Sequence, residues 1–370
     1  MIFEEQCIRN VLVDLAGFVS KQNFTKHHKH YVPDLNWQDN LGLDSIQIME
    51  LAAHVNSLFH IFETNKENYL LEDDFVDNWV QKVISARSEK NKQLTFTTSG
   101  TSGNPCTATH DMEFLMREVA VIATFFNNAN QIVTYVPAYS IYGFLFTVLL
   151  PGYLNIRVVH ASEIQWSQLS STAILVATPF HWPLILPALK KSDTRTSFGV
   201  SATAMLTPTL NDMIVDKGVD LLEVYGATET SGIGYRKGTS AFQLFPYLSF
   251  KHYNDKITVI DSDNNIHLPL QDELTIQEDN YFSINNRKDN KVNIAGNLVD
   301  LLDVERSISK IDNIKNCTIS AKMVEYNTQL SISIYLNEDS EALRALAIAS
   351  IKQQLPAHKT PSYYYFEERD

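Results

Sequence analysis

Apolar residues recur at helical spacing through the first 85 positions of the chain. Ile8, Leu12, Leu15 and Val19 form one stripe. After a loop holding Pro33, Met49, Ala52, Val55 and Phe59 form a second, and a third helix is predicted near 75–84. Residues 1–85 therefore read as a small all-α unit, with the polar stretch 86–93 as a linker. A short alternating strand at 94–97 then breaks into a run of hydroxyls and glycines, TSGTSGNP, over 98–105. Beyond it, Leu115, Val119, Ile122 and Phe126 predict a helix within 110–128, and strand-like runs at 131–137, 156–160, 173–177 and 197–201 alternate with helical stretches. That alternation predicts a largely parallel α/β sheet, whose reactive loops lie past the carboxyl ends of its strands.

Charge and composition narrow the function classes. With 370 residues the chain has room for two or three domains, and 44% hydrophobic residues mark it as globular. A net charge of −13 excludes broad phosphate-backbone binding, so nucleic acid is not expected as a partner. Thirteen acidic against six basic residues fall within 1–85, more than half of the chain's excess. Cys7, Cys106 and Cys317 lie far apart without metal-ligand spacing, which fits a reducing compartment. The acidic start MIFEEQCIRN lacks the basic residues of an export signal, and the most apolar run, 141–150, is about half of the ~20 residues a membrane helix needs. A cytoplasmic protein without a membrane span is expected.

Four stretches carry candidate chemistry. In the loop after 97, Gly100 and Gly103 permit a tight turn, so Thr98, Ser99, Thr101 and Ser102 can converge donors on an anion such as a triphosphate; the same composition also describes a plain surface turn. It is not a Walker loop, because the second glycine and the Lys-Ser or Lys-Thr pair are missing. In Leu41-Gly42-Leu43-Asp44-Ser45-Ile46, Ser45 falls in the first turn of a helix, where a phosphodiester would meet free amides and the positive end of the dipole; the alternative is that Asp44 or Ser45 caps the helix. The strand and loop at 222–230, LEVYGATET, offer Tyr225 to stack on a base, Gly226 for a close turn, Thr228 to donate to a phosphate and Glu229 to hold Mg²⁺, or else Glu229 is a solvated loop acid. Asp272 and Arg287, fifteen positions apart across a turn, can grip two ribose hydroxyls or form a surface ion pair. His27, His28 and His30 fit a solvated basic loop better than a metal site.

Assembled in order, these stretches resemble the adenylate-forming acyl-activating superfamily of acyl-CoA synthetases, adenylation domains and luciferases. TTSGTSGNP is similar to its phosphate loop, VYGATET to its aromatic-Gly-x-Thr-Glu motif, Asp272 to its ribose aspartate, and Arg287-Lys288-Asp289 to its arginine and hinge. The resemblance implies ATP and Mg²⁺ as cofactors. It places Thr98, Ser99, Gly100, Thr101, Ser102 and Gly103 around the phosphates, and Thr228 and Glu229 at phosphate and metal as the catalytic pair. Tyr225 and Gly226 would lie near adenine, with Ser201 and Ala202 beside the base. The expected fold is an α/β adenylation-type domain over 86–288 and a small α+β domain over 289–370.

Two further resemblances refine this. DNLGLDSIQIMELAAHVNSLF is similar to the attachment region of acyl and peptidyl carrier proteins, which implies 4′-phosphopantetheine on Ser45, placed there by a phosphopantetheinyl transferase, and an acidic carrier domain over 1–85. The run YSIYGFLFTVLLP resembles small ligases that activate aromatic acids for aryl-polyene and xanthomonadin-type pigments, implying an aryl or other apolar carboxylic acid substrate. There are departures. Cys106 stands where the phosphate loop has a lysine, Ser140 where a pocket histidine is expected, Thr203 where a glycine lies near the adenine, and Asn293 where many relatives have a lysine. Asp370 stands before the point where the family's C-terminal Gly-Lys segment would come, which implies adenylation slowed by on the order of 10²–10³. Two functions follow as expectations: an acid ligase loading its own carrier, or a non-adenylating carrier subunit beside a ketosynthase or other assembly-line enzyme.

Overall fold

The computed structural model describes residues 5–24, 34–65, 68–89, 92–97, 107–189, 197–253, 256–263, 266–270, 272–287, 291–294, 297–324 and 327–367. Its first three helices are α1 (Glu5–Ser20), α2 (Ser45–Phe59) and α3 (Val76–Glu89). Helix α2 starts where Asp44 caps it: the Asp44 carboxylate accepts from the Gln47 amide at 2.8 Å, and the Gln47 side chain accepts from the Asp44 amide at 3.0 Å. This reciprocal pair satisfies two of the amides a helix start leaves open. The buried face of α2 is Ile48, Leu51, Ala52, Val55, Leu58 and Phe59. Met49, expected on that face, is instead 55% exposed, because the stripe that meets the core begins one residue earlier.

The helices do not form a unit of their own. Strands β1 (Gln93–Thr97) and β2 (Thr107–Asp111) pair antiparallel in register from Gln93 opposite Asp111 to Thr97 opposite Thr107. Two strands alone are marginal in water, so this hairpin needs a surface to lie on. Leu94 and Phe96 are buried against α2, and a second link is the His60 ring, 2.7 Å from the Thr95 hydroxyl. The Phe144 ring lies 5.4 Å from Phe96 and 6.0 Å from Phe59, tying the hairpin and α2 to the large domain. From α1, Asp14 accepts a 2.7 Å hydrogen bond from the Ala138 amide. One continuous core joins residues 7–96 to residues 115–282. The apolar faces of the stretch expected as a carrier-like domain, 1–85, pack in the core of the sheet domain. The expected linker at 86–93 is split between the last turn of α3 and the start of β1.

Helix α4 (Met112–Ala123) follows β2 directly, so its start lies two residues later than expected and His110 belongs to the strand. Strand β3 (Gln131–Thr134) leads to a continuous helical run of α5 (Ile141–Phe144), a π-type turn at Leu145–Leu149 and α6 (Leu150–Leu154). Then come β4 (Arg157–His160), β5 (Ala173–Ala177), α7 (Trp182–Ile185), β6 (Ser197–Ser201), α8 (Pro208–Val215), β7 (Val219–Ala227), β8 (Ser231–Arg236) and β9 (Phe242–Leu244). Strands β10 (Leu248–Tyr253), β11 (Lys256–Asp261) and β12 (Ile266–Leu268) form a small antiparallel sheet, after which β13 (Asp272–Ile276) and β14 (Tyr281–Arg287) return to the main one. Among the described residues no helix is long and apolar enough to cross a membrane.

The main sheet has nine strands in the order β13-β14-β9-β8-β7-β6-β5-β3-β4. The five from β4 to β7 are parallel, as the sequence predicts; the other four join antiparallel through hairpins. Every residue of β5 is buried, with Ile174 and Val176 facing the core shared with the N-terminal helices and Ala173, Leu175 and Ala177 facing a second core with Trp182, Leu210 and Ile214. A central parallel strand covered on both faces has this all-apolar composition.

Past β15 (Lys291–Ile294) and β16 (Asn297–Asp300), the elements α9 (Leu301–Ile308), β17 (Ile314–Val324), β18 (Asn327–Leu336), α10 (Glu341–Gln354) and β19 (Tyr363–Phe366) build a third core around Val304, Ile308, Ile319, Ile332 and Ile351. Strands β17 and β18 are antiparallel, and β19 runs parallel to β18.

The shared aromatic core predicts that Phe59→Ala, which removes a fully buried ring, lowers stability by about 3–5 kcal/mol. In chemical denaturation followed by hydrogen exchange, amides of α2 and of β5 should lose protection together; independent loss in α2 would restore the separate domain.

Candidate functional site

The carboxyl ends of β6 and β7 lie side by side, Ser201 opposite Glu223. Ser201 is fully buried, and its hydroxyl has no hydrogen-bond partner among the described residues; Ala202 beside it is also buried. Thr203 then turns the chain at φ +77°, a left-handed conformation that glycine adopts freely and a β-branched residue only under strain. This is the position at which the family resemblance expects a glycine. The loop is secured by Glu223, whose carboxylate accepts from the Leu206 amide at 2.9 Å and from Arg236 at 2.7 Å. Burial raises the Glu223 carboxyl above its ordinary range, and the Arg236 guanidinium works against that rise.

One strand over, Tyr225 is half-buried, and its hydroxyl donates to the Asp272 carboxylate at 2.6 Å. Asp272 in turn lies opposite Arg287 in the β13–β14 register, with a bulge just after it, so the fifteen-residue spacing is that of a hairpin. Two motifs that are 47 positions apart in sequence thus meet through a side-chain hydrogen bond.

Strand β7 reverses into β8 through Gly226, Thr228, Glu229 and Thr230. Gly226 is obligatory here, since a Cβ would stand 2.1 Å from the Ser231 carbonyl oxygen. The Thr230 hydroxyl accepts from the Ala227 amide at 3.1 Å and donates to the Ser231 carbonyl at 2.9 Å, closing the turn. Thr228 and Glu229 are half-buried, and Glu229 has no hydrogen bond or ion pair with another described residue. His110, on the strand that leaves the hydroxyl-rich loop, donates Nε2–H to the Thr228 carbonyl at 2.6 Å. Burial lowers the His110 pKa, which favours the neutral ring. From α4, Glu118 accepts from the Ser231 hydroxyl at 2.7 Å and the Gly232 amide at 2.9 Å. It is completely buried, and burial pushes its carboxyl up to about 7.

Thr98, Ser99, Gly100, Thr101, Ser102, Gly103 and Cys106 lie outside the described residues, as do His27, His28 and His30. Ser45 lies within them: it is exposed at the first turn of α2, beside the Asp44 cap. Ser140 caps α5, accepting from the Gly143 amide at 3.0 Å and donating to the Pro137 carbonyl. The apolar run after it is core, with Phe144, Phe146, Val148 and Leu149 fully buried, while the Tyr142 hydroxyl donates to the Ala177 and Val200 carbonyls at the ends of β5 and β6.

No family model matches this chain. It is 29% identical over 352 residues to 4-coumarate--CoA ligase of Rhodobacter capsulatus, covering 89% of this chain and 87% of that protein, and 26% identical over 343 residues to 4-coumarate--CoA ligase of Cereibacter sphaeroides, covering 89% and 81%. The unmatched 11% of the chain is too short to account for residues 1–85, so a good part of the N-terminal helical region aligns with ligase sequence. Among solved structures, o-succinylbenzoate CoA synthetase from Bacillus subtilis superposes with a TM-score of 0.60 at 14% identity, covering 74% of this chain and 65% of that one. The chain has the fold of the AMP-forming acyl-CoA synthetases. Within this fold Tyr225 meets Asp272 and His110 meets the Thr228 carbonyl.

Reading motifs along the sequence misses His110, Glu118 and Glu223. A signal for Glu118 exists, however: it sits with Leu115, Val119 and Ile122 on the apolar face of α4, where a lone carboxylate needs a buried partner.

Two predictions follow from strain and burial. Thr203→Gly, relieving the left-handed backbone, should stabilise the protein by about 1 kcal/mol in chemical denaturation. Because Glu118 binds its proton more tightly folded than unfolded, the wild-type protein should lose about 3 kcal/mol of stability as pH rises from 4.5 to above 7 relative to Glu118→Gln, which does not titrate. A difference between the two proteins that stays constant across that range would contradict the burial argument.

Proposed function

We propose that this protein activates a carboxylic acid with ATP and passes the acyl group to a thiol. A substrate carboxylate oxygen attacks the α-phosphorus, forming a P–O bond as the bond to pyrophosphate breaks; the thiol then attacks the acyl carbon and AMP leaves. The observation that carries this is the hydrogen bond from Tyr225 to Asp272, beside the Thr228–Glu229 turn. An aromatic face and a carboxylate suited to ribose hydroxyls would then serve together with the Glu229 carboxylate in the adjoining turn. Glu229 suits Mg²⁺ shared with phosphates, since magnesium uses one or two carboxylates plus substrate oxygens. Among the described residues no three acidic, His or Cys side chains form a metal cage that would compete with this arrangement. When bound, Mg²⁺ neutralises phosphate charge. Thr228 would donate to a phosphate oxygen, and Asp272 would orient the ribose. The hydroxyl-rich loop, Thr98 to Gly103, would surround the β- and γ-phosphates.

The relatives are named for a coumarate ligase, and the run at 141–150 is apolar, so an aryl or similarly apolar acid is the substrate class we favour. The acceptor is a thiol brought from outside, of the coenzyme A kind in those names, rather than phosphopantetheine on Ser45. Helix α2 gives its apolar face to β1 and Phe144, which supports a packing role for it.

Acid-dependent pyrophosphate release, measured with MgATP and a panel of aromatic and fatty acids, should identify at least one substrate. Glu229→Ala should lower the rate by about 10²–10³-fold. Intact mass should show no acyl adduct on Ser45, and Ser45→Ala should still yield acyl-coenzyme A. No release with any acid, together with no ATP binding by calorimetry, would overturn the ligase proposal; acylation of Ser45 would restore the carrier.

A further inference from the structure

The turn that holds Thr228 and Glu229 closes on itself through the Thr230 amide, which donates to the Ala227 carbonyl at 3.2 Å, and through the Thr230 hydroxyl, but it must place Ser231 at φ +57°, a left-handed conformation disfavoured for a residue with a side chain. Both of its ends are nevertheless gripped from outside, and by one stretch of chain. His110 on β2 donates to the Thr228 carbonyl, and Glu118 on α4 takes both the Ser231 hydroxyl and the Gly232 amide on one oxygen. Gly232 has been kept free of a side chain at the point of contact: a Cβ there would stand 2.3 Å from the other Glu118 oxygen. The two grips lie eight residues apart on the segment that leaves the hydroxyl-rich loop.

We infer that His110 and Glu118 form a brace that fixes the turn bearing Thr228 and Glu229, making both positioning residues for nucleotide binding. The Glu118 oxygen that bonds neither Ser231 nor Gly232 has no partner among the described residues. A buried carboxylate with an unused oxygen is expensive, and an apolar residue would fill the α4 face more cheaply. Its two bonds to the turn are what it supplies in return. The brace also explains how a turn in a strained conformation can hold Glu229 with its carboxylate uncommitted: the backbone bears the constraint and the side chain stays free.

This inference rests on the ATP-using reading of the same site, so its test has one arm that needs no nucleotide. In the ligand-free protein, Glu118→Ala and His110→Ala should speed amide exchange at residues 228–232 at least tenfold, with β5 unchanged; Glu118→Gln, which keeps an acceptor in place, should stay within threefold of wild type. In the pyrophosphate-release assay the two alanine variants should raise KM for MgATP at least tenfold and leave KM for the acid within twofold, with Glu118→Gln again near wild type. Unchanged exchange at 228–232 would overturn the brace. Faster exchange with an unchanged MgATP KM would overturn its role in nucleotide positioning. A wild-type protein that neither binds nor cleaves ATP would sink the functional proposal and leave the exchange arm to decide the brace by itself.

Discussion

The arrangement depends on how the β1–β2 hairpin is held. These two strands belong to no larger sheet, and a two-stranded ribbon has too few internal contacts to be stable. Its position comes from Phe96, buried between α2 and the Phe144 ring, and from the His60–Thr95 contact. The hairpin carries the hydroxyl-rich loop at its tip and His110 on its outgoing strand. Anything that moves α2 therefore acts on β1, and through the β1–β2 pairing on His110 and its bond to Thr228. The N-terminal helices are a bearing surface for the hairpin.

That dependence also shows where sequence reasoning reaches and where it stops. The helices at the N-terminus and the parallel strands 131–134, 157–160, 173–177 and 197–201 are legible because their periodicity is local and strong. An amphipathic stripe states that a face is covered and says nothing about what covers it. Residues 41–59 look like a carrier because Asp-Ser before an apolar helix is what a carrier serine needs; the same Asp before the same stripe also serves as a helix cap, and here Asp44 and Gln47 form a capping box. In the antiparallel half, the Asp272–Arg287 hairpin is legible from its turn, whereas the order of β8, β9 and β14 is not, because it is fixed by long-range pairing such as Phe282 opposite Phe242.

The site residues divide along the same line. Tyr225, Thr228, Glu229, Asp272 and Arg287 are legible as motifs because each uses a residue type that its chemistry requires, at ordered positions. His110, Glu118 and Glu223 act on backbone atoms, and backbone donors and acceptors look alike at every position. Only the oddness of a carboxylate on an apolar helix face marks Glu118 in advance.

Strain and buried charge meet at these motifs. Thr203 just after β6 and Ser231 at the start of β8 hold left-handed backbone, and Glu223 and Glu118 lie buried beside them. Each feature alone opposes folding, and each is tied down by the other: Glu223 bonds the loop that follows Thr203, and Glu118 bonds Ser231 itself. Two strained turns fixed by two buried carboxylates thus hold the backbone on either side of Tyr225 and Glu229, and such strain persists only where the surrounding structure over-determines it.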